Sequence, residues 1–280
     1  MIKIVTDSTA NLSDKILARY DIRKVPIAIQ FGAETYEEDV DIDRDTFYRK
    51  IEETGIIPTS SQPATGRFVD AYQELAADGH QILSIHVTSK HSGTCQSATL
   101  ARSMVPDARV EVFDSASISL GTGYIVLEAA RAVEKGWNLE QILARLCQVR
   151  ERMRLFLTPS TLKYLQMSGR VGKLGAALAS VLKLRPIIKV ENGVLEAFEN
   201  VRTRSRSLER LIELLVEAVG GKQVPVNAAV VHAQALEEGS DLLERLQSTL
   251  NCHETMFGEL VASLAVHGGP GVVGIFAYEI

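Results

Sequence analysis

A chain of 280 residues with 46% hydrophobic and 23% charged side chains has the make-up of a globular protein, long enough for one large or two modest domains. A formal net charge of -5 without a dense Lys/Arg patch argues against nucleic acid or an acidic membrane surface as partner. Cys95, Cys147 and Cys252 lie far apart and form no CxxC, so neither a zinc site nor a disulfide framework is expected.

Ile2 to Val5 reads as a short strand ending in Thr6-Asp7-Ser8, and Asn11 or Ser13 caps a helix running to Tyr20. No basic-then-apolar leader precedes it and no apolar run approaches a membrane span, so a cytoplasmic location without stable membrane insertion is the expectation. Val25 to Ile29 reads as a second strand. The acidic segment Glu34 to Asp45 lacks the central Gly and terminal Glu of a calcium loop, so a solvated surface segment is expected. Asp43 should cap a helix from Arg44 to Thr54 whose apolar stripe is Phe47, Tyr48 and Ile51. Pro58-Thr59-Ser60-Ser61-Gln62-Pro63 should be a fixed loop between two prolines. The helix after it, Gly66 to Ala77, buries Phe68, Val69, Tyr72 and Leu75.

Ile82 to Ser103 is the stretch around which the chain is organised. Ile82 to Val87 is too short for a helix and reads as a buried strand; a polar run to Gly93 follows, and a helix opens at Ser92 or Thr94. Strand, small-residue loop and helix start together present unpaired N–H donors suited to a carboxylate or phosphate. Ser92 is then either a simple cap or a ligand group. Cys95 beside it reads as a small buried thiol rather than a nucleophile. Arg109 to Phe113 is another strand, ending in Asp114-Ser115. A loop with Gly121 and Gly123 leads into an apolar helix, Tyr124 to Glu134; Gly136 ends it and Asn138 caps the next, Leu139 to about Arg152. Alternating strands and helices predict a parallel sheet covered on both faces, with ligands at the carboxyl ends of its strands.

The pattern changes near residue 155. Leu155 to Thr158 reads as a strand, Thr161 to Gln166 as a helical turn, and Leu174 to Leu182 as a small-residue helix. Ile187 to Val190 and Val194 to Phe198 flank Asn192-Gly193, a strong hairpin signal. Leu208 to Val219 and Asp241 to Leu250 are helices, Ala228 to Val231 is a strand, and the loop from Val266 through HGGPG leads to a last strand, Val272 to Tyr278. The fold class expected is α/β, an N-terminal parallel-sheet domain with helices on both faces (1-155) followed by an α+β domain with an antiparallel or mixed sheet (156-280).

No GxGxxG follows a strand, and GxxxxGK[ST], HExxH and GxSxG are all absent, so nucleotide, metal and serine-hydrolase chemistry lack their usual handles. The polar inventory suits holding an anion. His267 sits in a glycine-rich loop, and Arg170, flanked by Gly169 and Gly172, is either an anion clamp or a surface arginine. The basic run from Arg202 to Arg206 is either a solvated helix start or a docking patch for an acidic partner.

The ordered set TDST, PTSSQPATG, HSGTCQSA, FDSASISLGTG, LKYLQMSGRVGK, LRPIIKVENGVLE with VRTR, and HGGPG resembles the DegV family from residue 6 to 271. The resemblance implies two α/β domains with a long-chain fatty acid, such as palmitate or oleate, in an apolar tunnel between them. It implies that the carboxylate is held by Ser60 or Ser61 and by Ser92, with His267 nearby. Gly93, Thr94, Ser115, Arg170 and Gly268 complete the expected ligand shell. It further implies a carrier with no catalytic residue, no metal and no cofactor, which presents the acid to a separate fatty-acid kinase subunit. Family members commonly carry Thr where this chain has Ser60, and Lys-Gly-Gly-Arg-Ile where it has Gln166 to Val171. Burying about fifteen methylenes at ~0.8 kcal/mol each gives on the order of 10 kcal/mol before binding costs, enough for tight binding with few polar contacts. Helices around Tyr124 to Val133 and Leu174 to Leu182, the latter with Ala176, Ala177 and Ala179, are candidates to line that tunnel. Two other readings stand beside the carrier: an enzyme acting on an anionic small molecule with Ser92 as nucleophile and His267 as base, and a sensor of a non-lipid ligand.

Overall fold

The computed structural model describes residues 1–170 and 184–280. The helix expected over residues 174–182 lies outside the described residues. Contacts divide the chain into two units: Met1–Arg150 with Val261–Ser263, and Glu151–Leu260 with Leu264–Ile280.

In the first unit, strands β1 (Ile2–Asp7), β2 (Arg23–Val25), β6 (Gln81–His86) and β7 (Arg109–Asp114) form a parallel sheet in the order β2-β1-β6-β7. One face carries Val5, Ile82 and Val110, packed with Phe68, Ala71 and Tyr72 of helix α3 (Thr65–Ala77) and Ala98 and Ala101 of helix α4 (Thr94–Met104). Because strand side chains alternate between faces, Leu83 and Ile85 turn the other way, and helix α5 (Ser119–Glu134) packs on β1 and β6. Helix α1 (Asp14–Arg19) is capped by the Ser13 hydroxyl, and α2 (Arg44–Thr54) by the Asp43 carboxylate, which accepts from Thr46 N at 2.7 Å. Helix α6 (Leu139–Arg152) opens with a reciprocal pair, Gln141 N to Asn138 Oδ1 at 2.9 Å and Asn138 N to Gln141 Oε1 at 3.0 Å.

Four expectations change in this unit. The strand read over Val25 to Ile29 is broken at Pro26 into β2 and β3 (Ala28–Phe31), which lie in different sheets, since proline cannot donate to a ladder. The loop read over Pro58 to Pro63 holds a strand, β5 (Thr59–Ser61), paired antiparallel with β3. Strand β4 (Glu34–Glu37) pairs on the other side of β3, making a three-stranded sheet. The loop assigned to Gly121 and Gly123 is the first turn of α5. Gly123 is needed there: a Cβ on it would stand 2.5 Å from the carbonyl oxygen of Ala10, at the end of a 3-10 turn (Ser8–Ala10). The acidic segment, read as solvated, contains a buried member, Glu38.

The second unit is built on a six-stranded mixed sheet, order β10-β9-β8-β13-β11-β12. Its strands are β8 (Arg154–Thr158), β9 (Arg185–Glu191), β10 (Val194–Val201), β11 (Pro225–His232), β12 (Asn251–Glu259) and β13 (Val273–Glu279). Only β11 and β12 run parallel. The β9–β10 hairpin turns at Asn192 (φ 51) and Gly193 (φ 79), the two positive-φ positions that an Asn-Gly pair supplies. After a short helix, α7 (Lys163–Met167), helices α8 (Arg204–Ala218) and α9 (Leu236–Thr249) bury Leu211, Leu214, Leu215, Leu242 and Leu246 against Phe156, Val230 and Ile275. Strand β12 is absent from the sequence reading, because NCHETMFGE mixes polar and apolar residues on an edge strand. His267 and Gly268, read as loop, are the last two residues of a helix, α10 (Ala262–Gly268).

Candidate functional site

The carboxyl end of the parallel sheet carries a dense polar network. Asp7 is fully buried; it accepts from Thr9 N at 3.0 Å, from the Thr9 hydroxyl and from Val87 N at 3.2 Å, and is hydrogen-bonded to His86 Nδ1 at 2.9 Å. His86 Nε2 in turn lies 2.7 Å from Ser84 Oγ, to which the Tyr72 hydroxyl donates at 2.7 Å. Asp7, His86 and Ser84 follow the order of a hydrolytic triad, but all three are sealed from solvent and Ser84 is held by Tyr72. A substrate has no access to it, so the network ties β1, β6 and α3 together. Burial pushes the phenol of Tyr72 up, which keeps it a neutral donor. Burial also pushes the Cys95 thiol up, with Asp114 and Asp7 adding to the effect, so Cys95 carries no reactive thiolate.

The open part of this end is the start of α4. Its N-cap is Gly93, which provides no side-chain cap. Ser92 Oγ accepts from Thr94 N at 3.3 Å and shares a hydrogen bond of 2.8 Å with Thr94 Oγ1, while Ser97 N bonds to the Gly93 carbonyl at 2.9 Å. The N–H groups of Cys95 and Gln96 have no acceptor among the described residues, as the first turn of a helix requires unless something outside it accepts. Ser92 and Gly93 are half-buried and Thr94 is buried. Two hydroxyls and two unspent N–H groups thus meet at one helix start, where the helix dipole also favours an anion. Among the described residues the partner of Ser92 Oγ is Thr94, and no hydrogen bond joins it to an imidazole.

β5 brings a second hydroxyl pair. Ser60 and Ser61 are half-buried, paired with Ile29 and Ala28 of β3, and the next residue, Gln62, lies against Gly93. Ser115 is fully buried after β7; its hydroxyl lies 2.9 Å from Thr122 Oγ1 and also bonds to Ser117, so it buttresses the loop. That loop holds the one after β6 through Thr88 N to Ser117 O at 2.9 Å and Ser89 N to Asp114 Oδ2 at 3.2 Å.

Arg170, His267 and Gly268 belong to the second unit. Arg170 Nη1 donates to the Ser168 carbonyl at 2.6 Å. His267 is half-buried at the end of α10. The glycine turn after it is packed hard: a Cβ on Gly269 (φ +73) would stand 2.3 Å from the Tyr164 ring, and one on Gly271 (φ +81) 2.0 Å from Ser160 Oγ. The Gly271 carbonyl accepts from Ser160 Oγ at 3.0 Å and from Arg204 Nη2 at 2.7 Å. Arg204 also donates to the Thr158 carbonyl and pairs with Glu238, so part of the basic run is structural rather than solvated.

Sequence reading missed Glu38. Its carboxylate accepts from Ser263 N and Ser263 Oγ, both at 2.6 Å, and burial raises its pKa from 4.5 to about 7 against the pull of Ser263 and Ser8. Nothing local marks it, since its partner is 225 residues away. Among the described residues, no group of three His, Cys, Asp or Glu side chains could hold a metal, and no helix is long and apolar enough to cross a membrane.

A parallel four-stranded sheet in the first unit and a six-stranded mixed sheet in the second define a protein of the mixed α/β class. The chain belongs to the DegV family: the family model described as "Uncharacterised protein, DegV family" matches residues 1–279. It is 34% identical over 278 residues to Protein DegV of Bacillus subtilis, covering 98% of both chains. Among solved structures it is similar to a fatty-acid-binding DegV family protein from Thermus thermophilus, with 33% identity, 100% and 99% coverage and a TM-score of 0.92. It is also similar to a stearic acid-binding protein from Eubacterium ventriosum, with 26% identity, 100% and 98% coverage and a TM-score of 0.93.

Proposed function

We propose that this protein is a cytoplasmic carrier of a long-chain fatty acid, such as palmitate or oleate, and that it presents the bound acid to a separate kinase subunit that phosphorylates the carboxylate. The carboxylate is received at the start of α4, with the Ser92 and Thr94 hydroxyls and the Cys95 and Gln96 N–H groups as donors and Ser60 and Ser61 beside them. Ser115 supports the loop behind it. Arg170, His267 and Gly268 remain assigned to the head group on the family resemblance. The observation that carries the reading is the unspent donor set at that helix start, which takes an anion without supplying a base or a nucleophile. Relatives described as fatty-acid-binding, matched over the full chain, support the choice of a carboxylate on an acyl chain over other anions.

Mass spectrometry of the purified protein, native and then after solvent extraction, tests this. The expected result is one fatty acid per chain that leaves only on denaturation. A protein that is empty and takes up neither palmitate nor oleate sinks the carrier reading. Acyl phosphate should form only when a fatty-acid kinase and ATP are added, and never from this chain and ATP alone.

A further inference from the structure

The side chain of Gln62, just after β5, lies against Gly93 at the start of α4. A Cβ built on Gly93 would stand 2.9 Å from Gln62 Cδ, 3.0 Å from Nε2 and 3.2 Å from Oε1. Near-equal distances to three coplanar atoms mean that the carboxamide lies face-on to the position that a Cβ on Gly93 would take. Gln62 is exposed, and neither end of its amide is hydrogen-bonded to a described residue. An exposed glutamine side chain loses much rotamer freedom when held in one place, so a position stacked over the N-cap of α4 calls for something that the amide does there. Gly93, on which the amide lies, stands in the chain between Ser92 and Thr94, whose hydroxyls share a hydrogen bond of 2.8 Å, and is followed by the two unspent N–H groups of Cys95 and Gln96.

We infer that Gln62 is a specificity residue of the carboxylate site: its Nε2 donates to an oxygen of the bound acid while the amide covers the head group from its seat on Gly93. This rests on the fatty-acid reading above. A neutral amide adds a donor without adding charge, and a hydrogen bond to a carboxylate is stronger than one to a neutral ester oxygen. Gly93 is part of the device, because any side chain there pushes the amide off its seat.

Full-length protein is titrated with palmitate and with methyl palmitate, bound fractions being read by native mass spectrometry. Gln62→Ala should lower palmitate affinity about tenfold and leave methyl palmitate within about twofold. Gly93→Ala should reproduce that pattern, and the double substitution should be no worse than either single one, because both remove the same contact. Gln62→Glu should bind palmitate more weakly than Gln62→Ala, since the introduced carboxylate repels the ligand. Unchanged palmitate affinity in Gln62→Ala, equal losses for acid and ester, or additive losses in the double variant would each overturn the inference. Wild-type protein that binds neither ligand overturns the carrier reading itself, a result distinct from those three.

Discussion

Two of the glycine-containing segments in which the family resemblance lies use their polar groups in opposite ways. At Ser92-Gly93-Thr94 the hydroxyls bond to each other, two helix-start N–H groups have no acceptor among the described residues, and the three atoms nearest to a Cβ on Gly93 belong to the Gln62 side chain. At Gly268 to Gly271 the turn is wedged against Tyr164 and Ser160, and the Gly271 carbonyl is already taken by Ser160 and Arg204. A glycine-rich turn alone therefore says little about binding. What separates the two is whether the polar groups, donors in one and an acceptor in the other, are spent within the protein.

The largest expected effect breaks the spent segment. Gly269→Ala and Gly271→Ala each place a Cβ on a positive-φ residue and inside a neighbouring side chain, which should cost about 2–5 kcal/mol. Urea unfolding checks this; a midpoint equal to wild type would show that the turn yields freely. Glu38 sharpens the contrast, as another place where donors are consumed internally. A carboxyl whose pKa rises on folding from 4.5 to about 7 favours the native state in acid, and that contribution is lost as the pH climbs through 7. The window is worth on the order of 3 kcal/mol. Wild-type stability should therefore fall between pH 5 and pH 8 by more than that of Glu38→Gln, measured as urea midpoints at about those two values. Equal slopes in the two proteins would remove Glu38 from the pH dependence. The smallest effect on folding belongs to the open segment. Ser92→Ala should change stability by less than about 1 kcal/mol yet weaken palmitate binding about tenfold. A variant that binds as wild type would mean that the helix start is no carboxylate site.

The elements read correctly from sequence are those whose signals and partners are neighbours in the chain. Ser13, Asp43 and Asn138 with Gln141 cap helices within three residues, and Asn192-Gly193 turns its own hairpin. The Ser92 loop was legible for the same reason, since strand, loop and helix start are contiguous. Strands β5 and β12 were not, because three residues of Thr-Ser-Ser and an edge strand of mixed polarity become strands only when a partner offers a ladder.

By itself the amino-acid sequence determined the alternating strands and helices of the first unit, the helix caps and the family. Each rests on periodicity or on hydrogen bonds that close within one turn. Tertiary structure decided that Glu38 is buried on Ser263, that Gly123 must admit the Ala10 carbonyl, that Asp7, His86, Ser84 and Tyr72 form one sealed network, and that Gln62 lies on Gly93. Those contacts join segments whose separation in sequence leaves no local trace. Burial, which sets what a carboxyl or an amide can do, is a property of the packed molecule and not of the residue.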